Sequence, residues 1–337
     1  MKSVSYPTYP TYPTSQLRIH QFSALQSGTA LIVLGAVHGS EICGTRAIER
    51  IVQEFDSGAL QLVRGRVTFV PVTNPLAYQK GQRNGDRNLN RNLRPTATPQ
   101  DYEDHIANVL YPLLGAHDVL LDLHSFQSQG EPFAMLGPVD NTGSLEPFTH
   151  AAEEQALALR LGVRRITEGW LSTYADGVKE RLRRTANASA SERAQLLSTD
   201  PSYGIGTTET MRSQGGYALT LECGNHADPA APEVAYRAIR NTLAHLGLVE
   251  DAPPAVQTAP EFLRLSQVID RLHADDAFAK PWSSYDPLRA GELIGTRHDG
   301  TPVVAPADGY IVFPNSATSV GNEWFYFAQP STRYLGA

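Results

Sequence analysis

Apolar, β-branched segments alternate with helical patterns over the first three quarters of the chain. Residues 29–37 (TALIVLGAV) form a continuous apolar run, the pattern of a strand buried on both faces of a sheet. Residues 66–72, 118–123 and 217–222 are further strand candidates. Helices are predicted after the first strand, from a start at 98–101, and over 232–247. This alternation predicts an α/β fold with a mixed, mainly parallel central sheet and flanking helices.

The pattern changes after residue 250. Residues 249–260 (VEDAPPAVQTAP) are rich in Pro and Ala, as in a linker, and short β-like runs separated by Gly, Pro and Asp follow. We therefore predict a catalytic domain over 18–250 and a small C-terminal all-β domain over 260–337. The repeated Tyr-Pro-Thr of residues 1–17 predicts a low-complexity arm.

Composition narrows the classes of protein to consider. Hydrophobic residues make up 41% of the chain, and no apolar run approaches the ~20 residues that cross a bilayer. A formal charge of −7 argues against nucleic acid as the main partner. The two cysteines are far apart in sequence and no export signal is present, so we expect a cytoplasmic protein. Self-association is left open.

Two histidines and a glutamate are candidate metal ligands. His38 and Glu41 lie three residues apart at a strand-to-helix turn, and His124 ends another strand. Imidazole and carboxylate groups are common zinc ligands, and a catalytic zinc has three protein ligands and one open position. Taken alone, the first pair also fits a surface histidine beside a helix-capping glutamate. Asp122 shares the side of the strand that carries His124, where it either orients the imidazole or is simply a polar strand-end residue.

A carboxylate and a set of arginines are the candidate catalytic and binding groups. Glu222 ends an apolar strand, where a carboxylate is costly unless it is paired, bound or catalytic. A general base there would take a proton from water and pass it to the leaving nitrogen; a salt bridge to arginine is the alternative. Residues 74–94 form a polar loop that contains Arg83, Arg87, Arg91 and Arg94. Guanidinium groups match carboxylates and stabilise oxyanions, although a loop arginine is by default a solvated charge.

The order of the motifs resembles that of a known family. The motifs are His38-Gly39-Ser40-Glu41, Asn74-Pro75, Gly81-Gln82-Arg83, Asn88-Leu89-Asn90-Arg91, Asp122-Leu123-His124 and Glu222-Cys223-Gly224. Their order and spacing resemble those of the succinylglutamate desuccinylase/aspartoacylase family, from about residue 29 to the end of the chain. The resemblance implies a zinc carboxypeptidase-like hydrolase with a C-terminal β-domain.

The resemblance also implies roles for particular residues. One Zn²⁺ per chain would be bound by His38, Glu41 and His124. Catalysis would use Glu222 as general base and Arg83 to polarise the scissile carbonyl. A substrate carboxylate would be held by Asn90 and Arg91, with Arg212, ten residues before Glu222, as a further carboxylate ligand.

One position departs from the family pattern. The family has Asp-Leu-Asn-Arg where this chain has Asn88 first, and we expect the lost charge to alter how the neighbouring arginines are held. The catalytic-site tyrosine of the family has three candidate counterparts here, Tyr203, Tyr217 and Tyr285.

These residues support three functional hypotheses. The first is a zinc-dependent amidohydrolase that deacylates a small-molecule N-acyl amino acid by attack of metal-activated water on the amide carbonyl. The second is a zinc carboxypeptidase that acts on peptides through the same centre. The third is a non-catalytic metal- or metabolite-binding relative, which Asn88 alone favours.

Overall fold

A computed structural model describes residues 12–186 and 200–333 of the chain. The first eleven residues of the predicted arm lie outside this range. The strands are β1 His20–Ser23, β2 Ala30–Leu34, β3 Arg66–Val70, β4 Val119–Phe126, β5 Phe133–Met135, β6 Arg165–Glu168, β7 Tyr217–Asn225, β8 Glu261–Asp270, β9 Ala277–Phe278, β10 Pro287–Leu288, β11 Leu293–Thr296, β12 Pro302–Val304, β13 Gly309–Val312 and β14 Glu323–Pro330. The helices are α1 Cys43–Asp56, α2 Pro75–Lys80, α3 Tyr102–Gly115, α4 Ala151–Ala158, α5 Trp170–Arg184, α6 Thr207–Ser213 and α7 Ala231–His245.

Eleven of these strands form one mixed sheet, in the order β1-β3-β2-β4-β7-β5-β6-β8-β14-β13-β10. Strands β3, β2, β4 and β7 are parallel neighbours, and so are β5, β6 and β8. The β5–β7 pair is antiparallel, as are the pairs at both ends of the sheet. The prediction of a mixed α/β sheet with flanking helices is confirmed.

The central strands are apolar on both faces because helices cover both. On one face, Leu121 and Leu123 of β4 join a core that includes residues of α1 and α7. On the other, Leu120 packs in a core with α3 and with Met211 of α6. Successive strand residues alternate between faces, so Asp122 and His124 continue the face of Leu120. The second core therefore leads directly to the polar residues at the strand ends.

The C-terminal strands continue the central sheet. The sequence predicts a separate small β-domain after residue 260, and the elements that the structure describes there are indeed all strands. However, β8 pairs in parallel with β6, from Arg165 opposite Glu261 to Glu168 opposite Arg264. A second sheet contains only β12, β11 and β9 within the described residues. The boundaries 18–250 and 260–337 stay predictions, but the two segments share one sheet.

Two helices begin later than the sequence predicts. The first was expected near Ser40 and Glu41 but begins at Cys43, because those two residues form the turn that carries the candidate site. The other was expected from residue 98 and begins at Tyr102, where the Asp101 side chain accepts a hydrogen bond from the Asp104 amide. In the described parts of the chain, we find no helix that is long and apolar enough to span a membrane.

Candidate metal centre and active site

The candidate residues converge at the carboxyl ends of the parallel strands. His38 follows β2, His124 lies in β4, and Glu222 lies directly beside His124 in β7 as its register partner. Register partners on neighbouring parallel strands point to the same face of a sheet. All three line a cleft of about 790 Å³. The structure thus brings together residues that are up to 184 positions apart (222 − 38) in the sequence.

Glu41 lies between the two histidines. Its Oε1 is 2.9 Å from His38 Nδ1, and its Oε2 is 2.8 Å from His124 Nδ1. One potential ligand atom from each residue can be chosen so that all lie within 4.8 Å of one another, and all three residues are buried. Two ligands that are each ~2 Å from one ion lie up to about 4 Å apart, so a small adjustment brings this group to zinc geometry.

The hydrogen bonds of His38 determine which of its ring nitrogens is free. Asn88 Oδ1 accepts a hydrogen bond from the backbone amide of Asn90 at 2.9 Å, which shows that the oxygen of the Asn88 side chain, and not its nitrogen, faces Asn90. That oxygen is 3.0 Å from His38 Nε2, and because it can only accept, Nε2 carries the proton. In the neutral ring Nδ1 then has a lone pair directed at Glu41.

This arrangement fits a cation. Burial, together with the nearby Arg83 guanidinium, lowers the pKa of His38 to about 4, so the ring is neutral. Its buried Nδ1 makes no hydrogen bond within the described residues although it lies 2.9 Å from the Glu41 carboxylate. Burial opposes ionisation of Glu41, but the hydrogen bond with His124 helps to hold its pKa well below the usual value. A lone pair facing a carboxylate at this distance is unfavourable unless a positive ion lies nearby.

His124 lies between two carboxylates: Nδ1 is hydrogen-bonded to Glu41, and Asp122 lies close to Nε2 without a well-aligned hydrogen bond. Asp122 Oδ2 is 2.9 Å from Nε2 and also accepts a hydrogen bond from the Thr207 hydroxyl. Burial disfavours the charged form of His124, but Asp122 and Glu41 outweigh it and raise its pKa well above the usual value. The role expected for Asp122, orienting the imidazole, agrees with this contact. Both histidines thus direct Nδ1 at Glu41 and Nε2 at an outer oxygen.

Glu222 is a buried carboxylate at the edge of this group. Its Oε2 has no hydrogen-bond partner in the described parts of the chain. Burial raises its pKa to about 8, against the opposing effect of His124. A carboxyl group with this pKa can exchange protons near neutral pH, as a general base requires.

Arg83 lies beside the candidate ligands. Its Nη1 is 2.8 Å from Glu41 Oε1, while the side chain is 51% exposed toward the cleft.

The turn between His38 and Glu41 packs closely against α2. The Gly39 amide in this turn donates a hydrogen bond to the Arg83 carbonyl at 3.3 Å. A Cβ at Gly39 would lie 1.9 Å from the carbonyl carbon of Ala77, so this turn requires glycine for the close approach of α2.

The loop that carries the arginines is ordered by a carboxylate from α3. Glu103, fully buried, accepts hydrogen bonds from Asn74 Nδ2 and from the amides of Gly85, Asp86 and Arg87. The Arg87 side chain is itself paired with Asp101 and Asp104 of the same region, at 2.9 and 2.8 Å. Arg87 therefore stabilises the loop.

Asn90 and Arg91 lie farther along the cleft wall. Asn90 Oδ1 accepts a hydrogen bond from the Thr207 amide at 2.9 Å, so its Nδ2 is the group left for a ligand. Arg91 Nη1 donates to the Asn90 carbonyl at 2.8 Å. The Arg91 guanidinium carbon lies 4.9 Å from the Trp170 ring centroid and 5.4 Å from that of Tyr174. Stacking on aromatic rings holds a guanidinium in place.

Arg212 lines the same cleft but is engaged by protein carboxylates. Its Nε donates to Glu154 at 2.9 Å and its Nη1 to Glu146 at 2.8 Å. Its Nη2 donates to the Ala218 carbonyl at 2.8 Å. That Arg212 binds a carboxylate of the substrate stays a prediction. Glu154, Glu146 and the Ala218 carbonyl would compete with such a carboxylate for the N–H groups of Arg212.

The sequence predicts only some of the aromatic and polar residues that line the cleft. Of the three candidate tyrosines, Tyr203 lines the cleft, whereas Tyr285 is buried with its hydroxyl bonded to Thr167 at 2.6 Å. Tyr217 is not among the cleft residues. The cleft is also lined by four residues that were not predicted as site residues: Trp170, Tyr174, Tyr326 and His226.

His226 could have been predicted from the sequence as a residue of the cleft. It lies four residues after Glu222 and contacts Ser125, the neighbour of His124, through Nδ1 at 2.8 Å from the serine hydroxyl. The aromatic residues have no such signal, because α5 and β14 reach the cleft from distant parts of the chain.

Taken together, the fold and the cleft define a class of protein. It is an α/β protein with a buried His-Glu-His group, a base-like glutamate and several arginines at the carboxyl edge of its parallel strands.

Comparison with known proteins shows that part of the chain is similar to one family of this class. Residues 27–166 match the succinylglutamate desuccinylase/aspartoacylase catalytic domain. The resemblance found in the motifs is therefore confirmed over this part of the chain. Curated proteins gave no match.

Solved structures show the same fold. A succinylglutamate desuccinylase/aspartoacylase from Rhodobacter sphaeroides is 18% identical, with a TM-score of 0.67, and the match covers 94% of this chain and 90% of that one. The product-bound ectoine utilization protein EutE from Ruegeria pomeroyi is 19% identical, with a TM-score of 0.65, over 97% and 99%. An aspartoacylase family protein from Mesorhizobium loti is 18% identical, with a TM-score of 0.62, over 98% and 100%.

Proposed function

We propose that this protein is a zinc-dependent amidohydrolase that deacylates a small N-acyl amino acid. The observation that carries the proposal is the buried group of His38, Glu41 and His124, in which a neutral imidazole nitrogen faces a carboxylate 2.9 Å away. One Zn²⁺ held by these three residues would supply a Lewis acid that polarises the amide carbonyl and lowers the pKa of water. Zinc suits this mixed nitrogen and oxygen ligand set.

The remaining steps belong to side chains of the cleft. Glu222, a buried carboxylate directly beside His124, takes a proton from the attacking water and delivers it to the leaving amide nitrogen. Arg83, half exposed beside Glu41, donates hydrogen bonds to the carbonyl oxygen as negative charge develops there. Asn90 Nδ2 and Arg91 hold the substrate carboxylate and so place the amide next to Glu222.

A peptide substrate is the alternative, and the shape of the cleft disfavours it. Residues after β13, including Phe313, Asn315 and Thr318, line the cleft together with Glu323 and Tyr326 of β14. The C-terminal segment therefore contributes a wall of the cleft, which favours small substrates over extended chains. A cytoplasmic location also remains a prediction.

The proposal is tested by separating metal binding from turnover. Glu222→Gln keeps the size of the side chain and removes the base, so we expect kcat to fall by about 10³-fold with zinc still bound. His38→Ala removes a ligand and should lose both zinc and activity. Glu250→Gln, at an exposed position, is the matched control. Activity is measured on a panel of N-acetyl and N-succinyl amino acids, and zinc by elemental analysis.

Two results would contradict the proposal. One is hydrolysis of a small peptide library at rates above those of every N-acyl amino acid in the panel. The other is a Glu222→Gln protein whose kcat equals that of the unmodified chain.

A further inference from the structure

Four arginines line the cleft among the described residues, and their charge partners differ. They are Arg83, Arg87, Arg91 and Arg212. Protein carboxylates lie within 2.9 Å of three of them, since Arg83 contacts Glu41, Arg87 contacts Asp101 and Asp104, and Arg212 contacts Glu146 and Glu154. Arg91 makes no ion pair with any residue that the structure describes, and its contacts are a carbonyl oxygen and aromatic rings. Burial opposes its charge, but Glu323 and Glu209, which lie beyond ion-pair distance, help to raise the pKa of its guanidinium.

The Arg212 end of the cleft has more negative than positive charge. Besides Glu146 and Glu154, Glu209 Oε1 lies 3.7 Å from Arg212 Nη1. Glu209 is fixed there because its Oε2 accepts a hydrogen bond from the Gly206 amide at 2.9 Å. Three carboxylates thus surround one guanidinium. Burial, together with the neighbouring Glu209 and Glu154, raises the pKa of Glu146 to about 7 even though Arg212 contacts it.

Arg212 cannot release these partners easily. Its side chain is almost fully buried, and its guanidinium carbon lies 5.5 Å from the Phe148 ring centroid. Nε and Nη2 both donate to Glu154, at 2.9 and 3.3 Å, and Nη2 also donates to Ala218. These contacts use four of the five N–H groups of Arg212, so a substrate carboxylate could reach only the remaining Nη1 hydrogen and would enter beside all three carboxylates. Like charges at such distances repel strongly in a buried site.

We propose that the cleft takes N-acyl amino acids with a single carboxylate, held by Arg91, and selects against substrates with a second carboxylate in the acyl group or the side chain. Glu146, Glu154 and Glu209 are the specificity-determining residues, because they neutralise Arg212 and give that end of the cleft a negative charge. This inference rests on the proposed deacylase function and specifies its substrate class.

The test compares substrates of equal size that differ by one charge. N-acetyl-L-asparagine is paired with N-acetyl-L-aspartate, and N-succinamoyl-L-alanine with N-succinyl-L-alanine. Dissociation constants are measured by calorimetry on zinc-loaded Glu222→Gln protein, and kcat/KM on the unmodified enzyme. We expect at least one monocarboxylate to bind, and the monocarboxylate of each pair to be preferred over the dicarboxylate by about tenfold or more, equivalent to about 1.4 kcal/mol.

Variants locate the source of the preference. Above the pKa of about 7 that Glu146 has here, Glu146→Gln keeps the side-chain size and removes one negative charge next to Arg212, so the preference measured there should shrink several-fold. Glu153→Gln, an exposed neighbour on α4 whose side chain is 55% exposed, is the matched control and should leave it unchanged. Circular dichroism of each variant confirms that it is folded.

The outcomes separate the two proposals. Equal or tighter binding of the dicarboxylates by the otherwise unmodified cleft would overturn the inference. A preference that Glu146→Gln leaves intact would also overturn it. In either case, deacylation of any panel member would leave the proposed function standing. Selective binding of the monocarboxylates without hydrolysis of any N-acyl amino acid would overturn the proposed function alone. Binding of none of the four compounds would overturn the inference.

Discussion

The two candidate histidine ligands differ in the residue that holds their outer nitrogen. His124 Nε2 faces the Asp122 carboxylate at 2.9 Å, whereas His38 Nε2 donates to the Asn88 amide oxygen at 3.0 Å. A carboxylate partner increases the electron density on an imidazole more than a neutral amide does. Asn88 was predicted to affect the neighbouring arginines, but its side chain contacts His38 and the backbone of Asn90.

Asn88 should therefore set how tightly the centre binds zinc. Asn88→Asp supplies a charged acceptor for His38 Nε2, and we expect zinc affinity to rise by about tenfold; Asn88→Ala removes the acceptor and should lower it by a similar factor. The dissociation constant is measured by competition with a chromophoric chelator. Asn241→Asp on α7, which packs on the opposite face of the sheet, adds the same charge as a control. An Asn88→Ala protein with unchanged affinity would show that the contact has no effect on the metal.

At the scale of single elements, the loop after α2 is held in its conformation by Glu103, a residue outside the loop. Glu103 in the first turn of α3 accepts hydrogen bonds from three successive loop amides and from Asn74. The loop could be predicted as functional because it is polar, lacks periodicity and contains several arginines. Its anchor could not, since Glu103 looks in sequence like an ordinary acidic residue that favours a helix start. Only the tertiary fold reveals the contacts that bury this carboxylate.

Removing the charge of Glu103 should loosen this loop. In Glu103→Gln an NH₂ group replaces one acceptor oxygen and faces backbone donors, so we expect the free energy of unfolding to fall by about 3 kcal/mol. Urea denaturation measures this loss. Amide exchange at Gly85, Asp86 and Arg87 should accelerate as well. Glu250→Gln is the exposed control, and equal stability of the two variants would contradict the role assigned to Glu103.

At the scale of the whole molecule, one sheet runs through both predicted domains. The strands of the first part could be predicted because continuous apolar runs between helices are typical of buried parallel strands. Most of the C-terminal strands could be predicted individually from alternating and turn residues. Their attachment could not be, because nothing in the local pattern of β8 specifies that it pairs with β6. The short strands β5 and β6 also lack a strong pattern.

A shared sheet predicts cooperative unfolding. Trp282 and Trp324 lie in the C-terminal part, whereas the helices that dominate far-UV circular dichroism lie before residue 250. In a Trp170→Phe background, tryptophan fluorescence and circular dichroism should therefore give the same denaturant midpoint. Two well-separated midpoints would show instead that the C-terminal segment unfolds as an independent domain.

The central claim is that His38, Glu41 and His124 together bind one zinc ion. The most direct measurement is the zinc content per chain of purified protein by elemental analysis, beside variants with alanine at each of the three positions. We expect one zinc per chain in the unmodified protein and almost none in each variant, with folding confirmed by circular dichroism. Zinc content that is near zero in the unmodified protein after incubation with Zn²⁺, or equal in all four proteins, would contradict the account.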